Sequence, residues 1–422
     1  MPGRQLPTLT KTTMRCAACA KWSVSMLLVL FILTVPVDTR GAFAQFYGGL
    51  NAIDEGQWVP MSSLGAPSPR FGAQAVWTGA QVLVWGGANF ANRTSCPNLL
   101  CGDGGIYDPT TDRWRPIPSS PSARTAHSEA WTGAEMIVFG GQRTTDYLAG
   151  ANAYSPDSDS WRTLPNEGIP HSRGRHVGVW SGSEMIIWGG VGCVVAACND
   201  GAAYNPQTDS WRPLSQVGAP FGRLDASSVW TGTQLLVWGG DGRVPRGLLA
   251  DGAAYDPATD AWQPLPLLEG FSPRSLAATV WTGSEMVVWG GNCPGALCGD
   301  GAAYNPSTGT WRRLSTEGAP TPRSAPATAW TGSEVVIWGG DGCGSVCGDG
   351  AAFNPTTNTW RQTPTDGAPS PRAGAAYIWI DDAMLVWGGA DPTSAAYLDD
   401  GALYVPPGFP LPQMPADGSS TK

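Results

Sequence analysis

The sequence predicts an all-β protein built by repeating one unit of four short strands, and three regularities carry that reading. An apolar run ending in Gly-Gly recurs at Gly86, Gly140, Gly189, Gly239, Gly290, Gly339 and Gly388, a period of about 50 residues. Repeats of that length form propellers or solenoids, in which each unit buries its apolar face against its neighbours. Every unit also divides into strand-like runs bounded by turn residues; in the fifth they are 274–281, 285–289, 301–304 and 310–314. The third regularity is an aromatic pair of fixed spacing: Tyr107/Trp114, Tyr154/Trp161, Tyr204/Trp211, Tyr255/Trp262, Tyr304/Trp311 and Phe353/Trp360.

Four apolar residues, Gly-Gly, a Tyr, six further residues and a Trp make the pattern in which the chain resembles the kelch family, over about residues 46–405. The resemblance implies a β-propeller with one four-stranded blade per repeat. The seventh unit departs from the pattern, because Tyr404 is followed by VPPGFPLPQMP with no tryptophan. Its missing strand is found at the other end of the chain, where GQWVPMSSLGAPSPR (56–70) matches TWRRLSTEGAPTPR (310–323). The strand around Trp58 is therefore expected to complete the last blade, closing a seven-bladed kelch-type β-propeller and removing its free edges.

The first strand of each unit is expected to be innermost, and its small residues, as in RSLAATVW and RSAPATAW, fit the taper. Of the 21 tryptophans, seven end first strands, six precede Gly-Gly, seven lie on fourth strands and Trp22 precedes the repeats. None is left over as a spare stacking platform, so they read as filler between blades.

Residues 1–44 read as a secretory signal peptide. An apolar stretch (22–37) follows Arg15 and Lys21 and leads to Ala42-Phe43-Ala44, an A-x-A cleavage site. Met14 would give this leader an n-region of ordinary length. The stretch is short for the roughly 20 residues of a bilayer span, so the chain is expected to be secreted or periplasmic, with no membrane span after cleavage near Ala44. Cleavage there removes five basic residues and one acidic one, leaving 20 against 33 and a net charge of −13. A chain of that sign without a Lys/Arg cluster is repelled by phosphate backbones and anionic membranes, which argues against nucleic acid as a partner. The expected organisation is a leader (1–44), a propeller (45–405) and a flexible Pro-rich tail (406–422), acting as a monomer without a cofactor.

Two turns of each unit, such as WTGSE and NPSTGTW, barely change along the chain, whereas the loops after Gly-Gly and between units vary. Variable loops on a rigid scaffold are where binding usually resides. Eight cysteines lie there as close pairs, Cys96/Cys101, Cys193/Cys198, Cys293/Cys298 and Cys343/Cys347. In an exported chain they read as local disulfides, each worth roughly 2 kcal/mol on the chain-entropy estimate. A metal site is not expected, since the pairs fall on different repeats and no His accompanies them.

Arg70, Arg124, Arg173, Arg223, Arg274, Arg323 and Arg372 open the seven first strands, and Asp103, Asp200, Asp251, Asp300, Asp349 and Asp400 precede the third strand in six units. They read either as a structural lattice of paired charges or as arginines partly free to grip a carboxylate, as kelch propellers do with acidic peptides or sugar acids. The units that break their own consensus locate the expected site. RTAHSEAW and RGRHVGVW place His127 and His176 three residues after their arginines, RLDASSVW contributes Asp225, and the second unit has Gly150 where others have Asp. Polar and titratable groups near a narrow channel are costly unless paired or used. The channel mouth at these three units is the expected site, with Arg124, Arg173, Arg175 and Arg223 as anion contacts and His127, Glu129, His176 and Asp225 as hydrogen-bonding or acid/base groups.

Two classes of function fit. One is a module that binds an extracellular protein, glycan or sugar acid; the other is a sugar-acid epimerase or mutarotase-like enzyme acting at the channel mouth. A copper oxidase of the kelch type is not expected from three histidines and no evident free cysteine. No Ser-His-Asp set, P-loop or dinucleotide fingerprint occurs.

Overall fold

The computed structural model describes residues 55–412, apart from 95, 121 and 194–196. The expected leader and the last ten residues of the expected tail lie outside the described residues. Among the described residues there are seven four-stranded antiparallel sheets. The first pairs Gln74–Trp77, Val82–Trp85, Gly104–Asp108 and Arg113–Ile117 in that order. The next five repeat it over 128–163, 177–213, 227–264, 278–313 and 327–362. The seventh takes Ala376–Ile380, Ala383–Trp387 and Gly401–Val405 from the C-terminal side, and its fourth strand is Gln57–Pro60, with Trp58 opposite Tyr404. The N-terminal strand thus pairs where the sequence match puts it.

Both faces of each sheet are covered, and the second strand makes this explicit. Val82 and Val84 pack with Leu385, Trp387 and Leu403 of the seventh sheet, while Leu83 and Trp85 pack with Met136 and Val138 of the second. Successive side chains of a strand point to opposite faces, so burial on both faces gives an unbroken apolar run rather than an alternating one. The core is divided into clusters of this kind, each between two neighbouring sheets. The fourth-strand tryptophans fill the wedges and also tie them: the Trp58 indole donates to Pro364 O at 3.0 Å, Trp114 to Ser62 O at 2.9 Å and Trp360 to Ser315 O at 2.7 Å, each in the exit loop of the preceding sheet.

The first strands begin later than the sequence reading placed them. In the fifth unit the strand is Ala278–Trp281 rather than 274–281, because Leu276 adopts a left-handed backbone (φ 54°) that no strand tolerates. The arginine that precedes it is held in a bent approach segment instead. Arg323 is typical: its Nε donates to Thr321 O, Nη1 to Gly339 O and Asp349 O, and Nη2 to Thr321 Oγ1 and the Asp349 carboxylate. All seven of these arginines are no more than 1% exposed. Each backbone carbonyl in turn accepts from the second glycine of the preceding sheet, as in Gly87 N to Arg124 O at 2.9 Å and Gly389 N to Arg70 O at 2.8 Å.

The four cysteine pairs are disulfides, Cys96–Cys101, Cys193–Cys198, Cys293–Cys298 and Cys343–Cys347. Beyond the last strand, Phe409 lies edge-on to Trp379 at 5.7 Å. No helix among the described residues is long and apolar enough to cross a membrane.

Truncating a buried arginine strands a carboxylate and three carbonyls at once. Arg323→Ala is expected to cost about 3–5 kcal/mol in urea denaturation, and Arg323→Lys most of that, since an ammonium cannot reproduce the five-donor fork. A loss below about 1 kcal/mol for both would refute this role.

Candidate functional site

Two residues after each buried arginine the backbone turns left-handed: Gly72, Ala126, Arg175, Asp225, Leu276, Ala325 and Gly374 have φ between 47° and 64°. Five of these are not glycine, a costly choice for L-residues. A chain of hydrogen bonds holds them. Arg175 N donates to Ala126 O, Asp225 N to Arg175 O, Leu276 N to Asp225 O, Ala325 N to Leu276 O and Gly72 N to Gly374 O, at 2.7–3.2 Å. Six of the seven residues, those of the first to the fifth sheet and of the seventh, line a cavity of about 820 Å³ beside Ala126, within the usual range for small-ligand sites.

His127, Glu129, Arg175, His176 and Asp225 all line this cavity. The His127 ring is wedged against the preceding sheet, edge-on to Trp85 at 5.2 Å, and neither of its nitrogens has a hydrogen-bond partner. Gly86 leaves room for it, since a Cβ there would stand 2.7 Å from the ring. His176 stands equivalently on Phe139 at 5.2 Å; its Nε2 meets Ser128 Oγ at 2.7 Å, and its Nδ1 has no partner. Burial, then the Arg124 cation, holds the His127 pKa well below its ordinary 6.5, while burial and then Arg173 push His176 down to about 3. Both rings are therefore neutral at physiological pH.

Glu129 sits on the first strand of the second sheet, Ser128–Trp131, with both carboxylate oxygens buried and unpartnered. Burial raises its pKa well above the ordinary 4.5. Asp225 is only 8% exposed and forms a two-pronged ion pair with Arg175, whose Nε lies 2.9 Å from Oδ1 and whose Nη2 meets Oδ2. Burial raises the Asp225 pKa, and Arg175 opposes that shift.

Arg124, Arg173 and Arg223 are placed differently from the sequence expectation of anion contacts. They do not line the cavity, are at most 1% exposed, and bond the Gly-Gly turns of their own sheets. Arg173 and Arg223 take Asp200 and Asp251 as counter-ions. Arg124 has none, because Gly150 replaces the aspartate and Asn152 Oδ1 accepts at 3.1 Å instead; burial, then Arg143, lowers its pKa to about 10. The sequence signal for this exchange is a polar Asn152 where the third to seventh repeats have alanine and the first has glycine.

Sequence reasoning missed the cavity's aromatic wall. Phe71, Phe90 and Tyr377 line it, with Phe90 55% and Tyr377 41% exposed, and Phe71 meets Phe90 edge-on at 5.5 Å. Counting only tryptophans hid them, although Tyr377 breaks the small-residue pattern of its strand. Among the described residues, the converging groups of potential metal ligands are Cys193/Cys198/Asp200 and Cys343/Cys347/Asp349, whose sulfurs are in disulfides.

These features define an all-β repeat protein with a ligand-sized cavity where its variable loops meet. The family described as the KLHDC2/KLHL20/DRC7 Kelch-repeats domain matches residues 50–224 and 225–405, and the chain belongs to it. No curated protein matches the chain.

The buried acid gives the site a pH signature. The fold favours protonated Glu129, so its contribution to stability is present below pH 4.5 and is lost as pH rises through the raised folded value. His176 has the opposite sign, contributing above 6.5 and losing that contribution as pH falls toward 3. Glu129→Gln should therefore raise Tm by a few degrees at about pH 8 and by nothing below about pH 4. Equal shifts at both pH values in a thermal melt would mean that Glu129 is not held protonated.

Proposed function

We propose that this chain is an exported kelch propeller of seven blades that binds a ligand at its mouth without turning it over. Kelch-repeat domains are typically protein-interaction modules. The observation that carries the reading is a set of five buried polar atoms without partners, His127 Nδ1 and Nε2, both Glu129 oxygens and His176 Nδ1, on the wall of one ligand-sized cavity. Unpaired buried polar groups cost about 1–3 kcal/mol each, a cost that a bound ligand removes. Export is supported by the leader-like residues 1–44 and by four disulfides, which persist in oxidising compartments. Ring closure is supported by three contacts between the first and seventh sheets: the Arg70 carbonyl on Gly389 N, Gly72 N on Gly374 O, and a shared core cluster.

The epimerase reading draws less support. A sugar acid needs a free cation, and the cavity's Arg175 and Arg143 are already paired with Asp225 and Asp146 while the ring arginines lie behind the wall.

Calorimetry of the purified protein against neutral glycans, sugar acids and peptides should find a ligand that His127→Ala weakens about tenfold or more. Turnover of a sugar acid would replace the binding reading with the enzymatic one. For closure, deletion of residues 45–64 should leave the protein insoluble or far less stable; a freely soluble, unchanged product would refute the seven-blade ring.

A further inference from the structure

The mouth cavity continues beyond its own rim. A second cavity of about 520 Å³ adjoins it over the junction of the first two sheets, and Leu100, Arg143 and Thr144 belong to both walls. One side of this joined groove is the loop closed by the Cys96–Cys101 disulfide. Its other side is the 143–146 turn, in which Arg143 is paired with Asp146. The outer cavity has its own buried polar atom without a partner, Ser120 Oγ. Both cavities thus hold unpartnered polar atoms, and the joined groove has room for something longer than one compact molecule.

The chemistry of the inner chamber narrows the class. Its polar wall includes two neutral imidazoles, a buried carboxyl, the hydroxyl of Ser128 and the amide of Gln142, groups that together both donate and accept. Of the arginines on its wall, Arg175 is paired with Asp225 and Arg143 with Asp146. An entering carboxylate would face Glu129 with no free cation, and an entering ammonium would approach Arg124, a buried cation without a carboxylate partner. The wall also offers the exposed rings of Phe90 and Tyr377. Aromatic surface in the same cavity as a dense set of neutral donors and acceptors suits a ligand with one C–H face and a rim of hydroxyls.

Resting on the binding reading above, we propose that the mouth cavity seats the end of a neutral oligosaccharide and that its following sugar units run outward through the groove between the 96–101 and 143–146 loops.

The test is calorimetry with neutral gluco-, manno-, xylo- and N-acetylglucosamine oligosaccharides from monomer to hexamer, alongside glucuronate, choline and a mixed peptide panel. One neutral series should bind, with affinity rising about tenfold or more with length. Ser119→Trp, at an exposed position on the wall of the outer cavity alone, should abolish the gain with length while leaving the affinity for the shortest binder unchanged. Glu129→Ala should weaken binding about tenfold, and Glu129→Gln, isosteric with the protonated acid, should restore it; melting curves confirm that each variant is folded. Loss of binding in Glu129→Gln equal to that in Glu129→Ala would overturn the neutral-ligand assignment. Glucuronate, choline or a peptide that binds in place of the sugars, and is lost on His127→Ala, would overturn it too while leaving the mouth-cavity reading intact. A saccharide whose affinity neither His127→Ala nor Glu129→Ala changes would overturn both, and no binding across the panel would overturn the saccharide proposal.

Discussion

The buried arginine before each first strand is the interaction on which the rest of the architecture depends. Its guanidinium fastens the approach segment to the Gly-Gly turn and to the start of the third strand of its own sheet, while its carbonyl accepts from the Gly-Gly turn of the sheet before. One residue thus joins three segments of one sheet and couples that sheet to its neighbour. The geometry explains why two glycines are needed: Gly87 has φ 94°, and a Cβ there would stand 2.7 Å from Phe71 O. It also explains the aspartate. A guanidinium removed from water is tolerable only when its charge and its donors are both met, and in six sheets a carboxylate at 2.9–3.1 Å meets the charge.

The second sheet is the exception, and it is also where the cavity's unpartnered groups are concentrated. Arg124 keeps its geometry by taking Asn152 in place of a carboxylate, so the fold is preserved and the local charge balance is not. Next to it stand His127 and Glu129, neither with a partner in the fold. With stability spread over repeated joints and inter-sheet clusters, one sheet can carry several kcal/mol of unmet polar cost without unfolding the whole. Local rules broken against a consistent background are the usual mark of a functional region.

The repeat made much of this legible, because a chain that contains its own comparison set reveals both the rule and the departures from it. The match between 56–70 and 310–323 located the partner of the last strands, and the departures at His127, Glu129, Arg175, His176 and Asp225 picked out residues that line one cavity. What stayed hidden depends on direction and on loops. An arginine at a fixed period can face solvent or core, and periodicity alone does not say which; Arg124, Arg173 and Arg223 turn inward because the Gly-Gly carbonyls need donors there. Ala126, Leu276 and Ala325 carry no sequence sign of their left-handed backbone, which neighbouring sheets impose by hydrogen bonds. Phe90 reaches the cavity from a loop whose length and path have no counterpart in the other repeats.

Electrostatics at the scale of the chain agree with those of the chamber. The sequence carries a net charge of −9, and the arginines that might offset it locally are largely taken up: buried ones by aspartates, Arg175 by Asp225, Arg143 by Asp146. An anion approaching the mouth therefore meets a repulsive field and then a wall without a free cation. For a cation the field is attractive at a distance, but the chamber opposes it, since ionising Glu129 to receive it would place a charge where burial disfavours one. A neutral ligand is indifferent to the long-range field and is selected only by contact, through hydrogen bonds and aromatic surface. A chamber whose burial favours the uncharged forms of its acid and of both imidazoles favours, on the proposed reading, ligands recognised by shape and hydroxyl pattern rather than by charge.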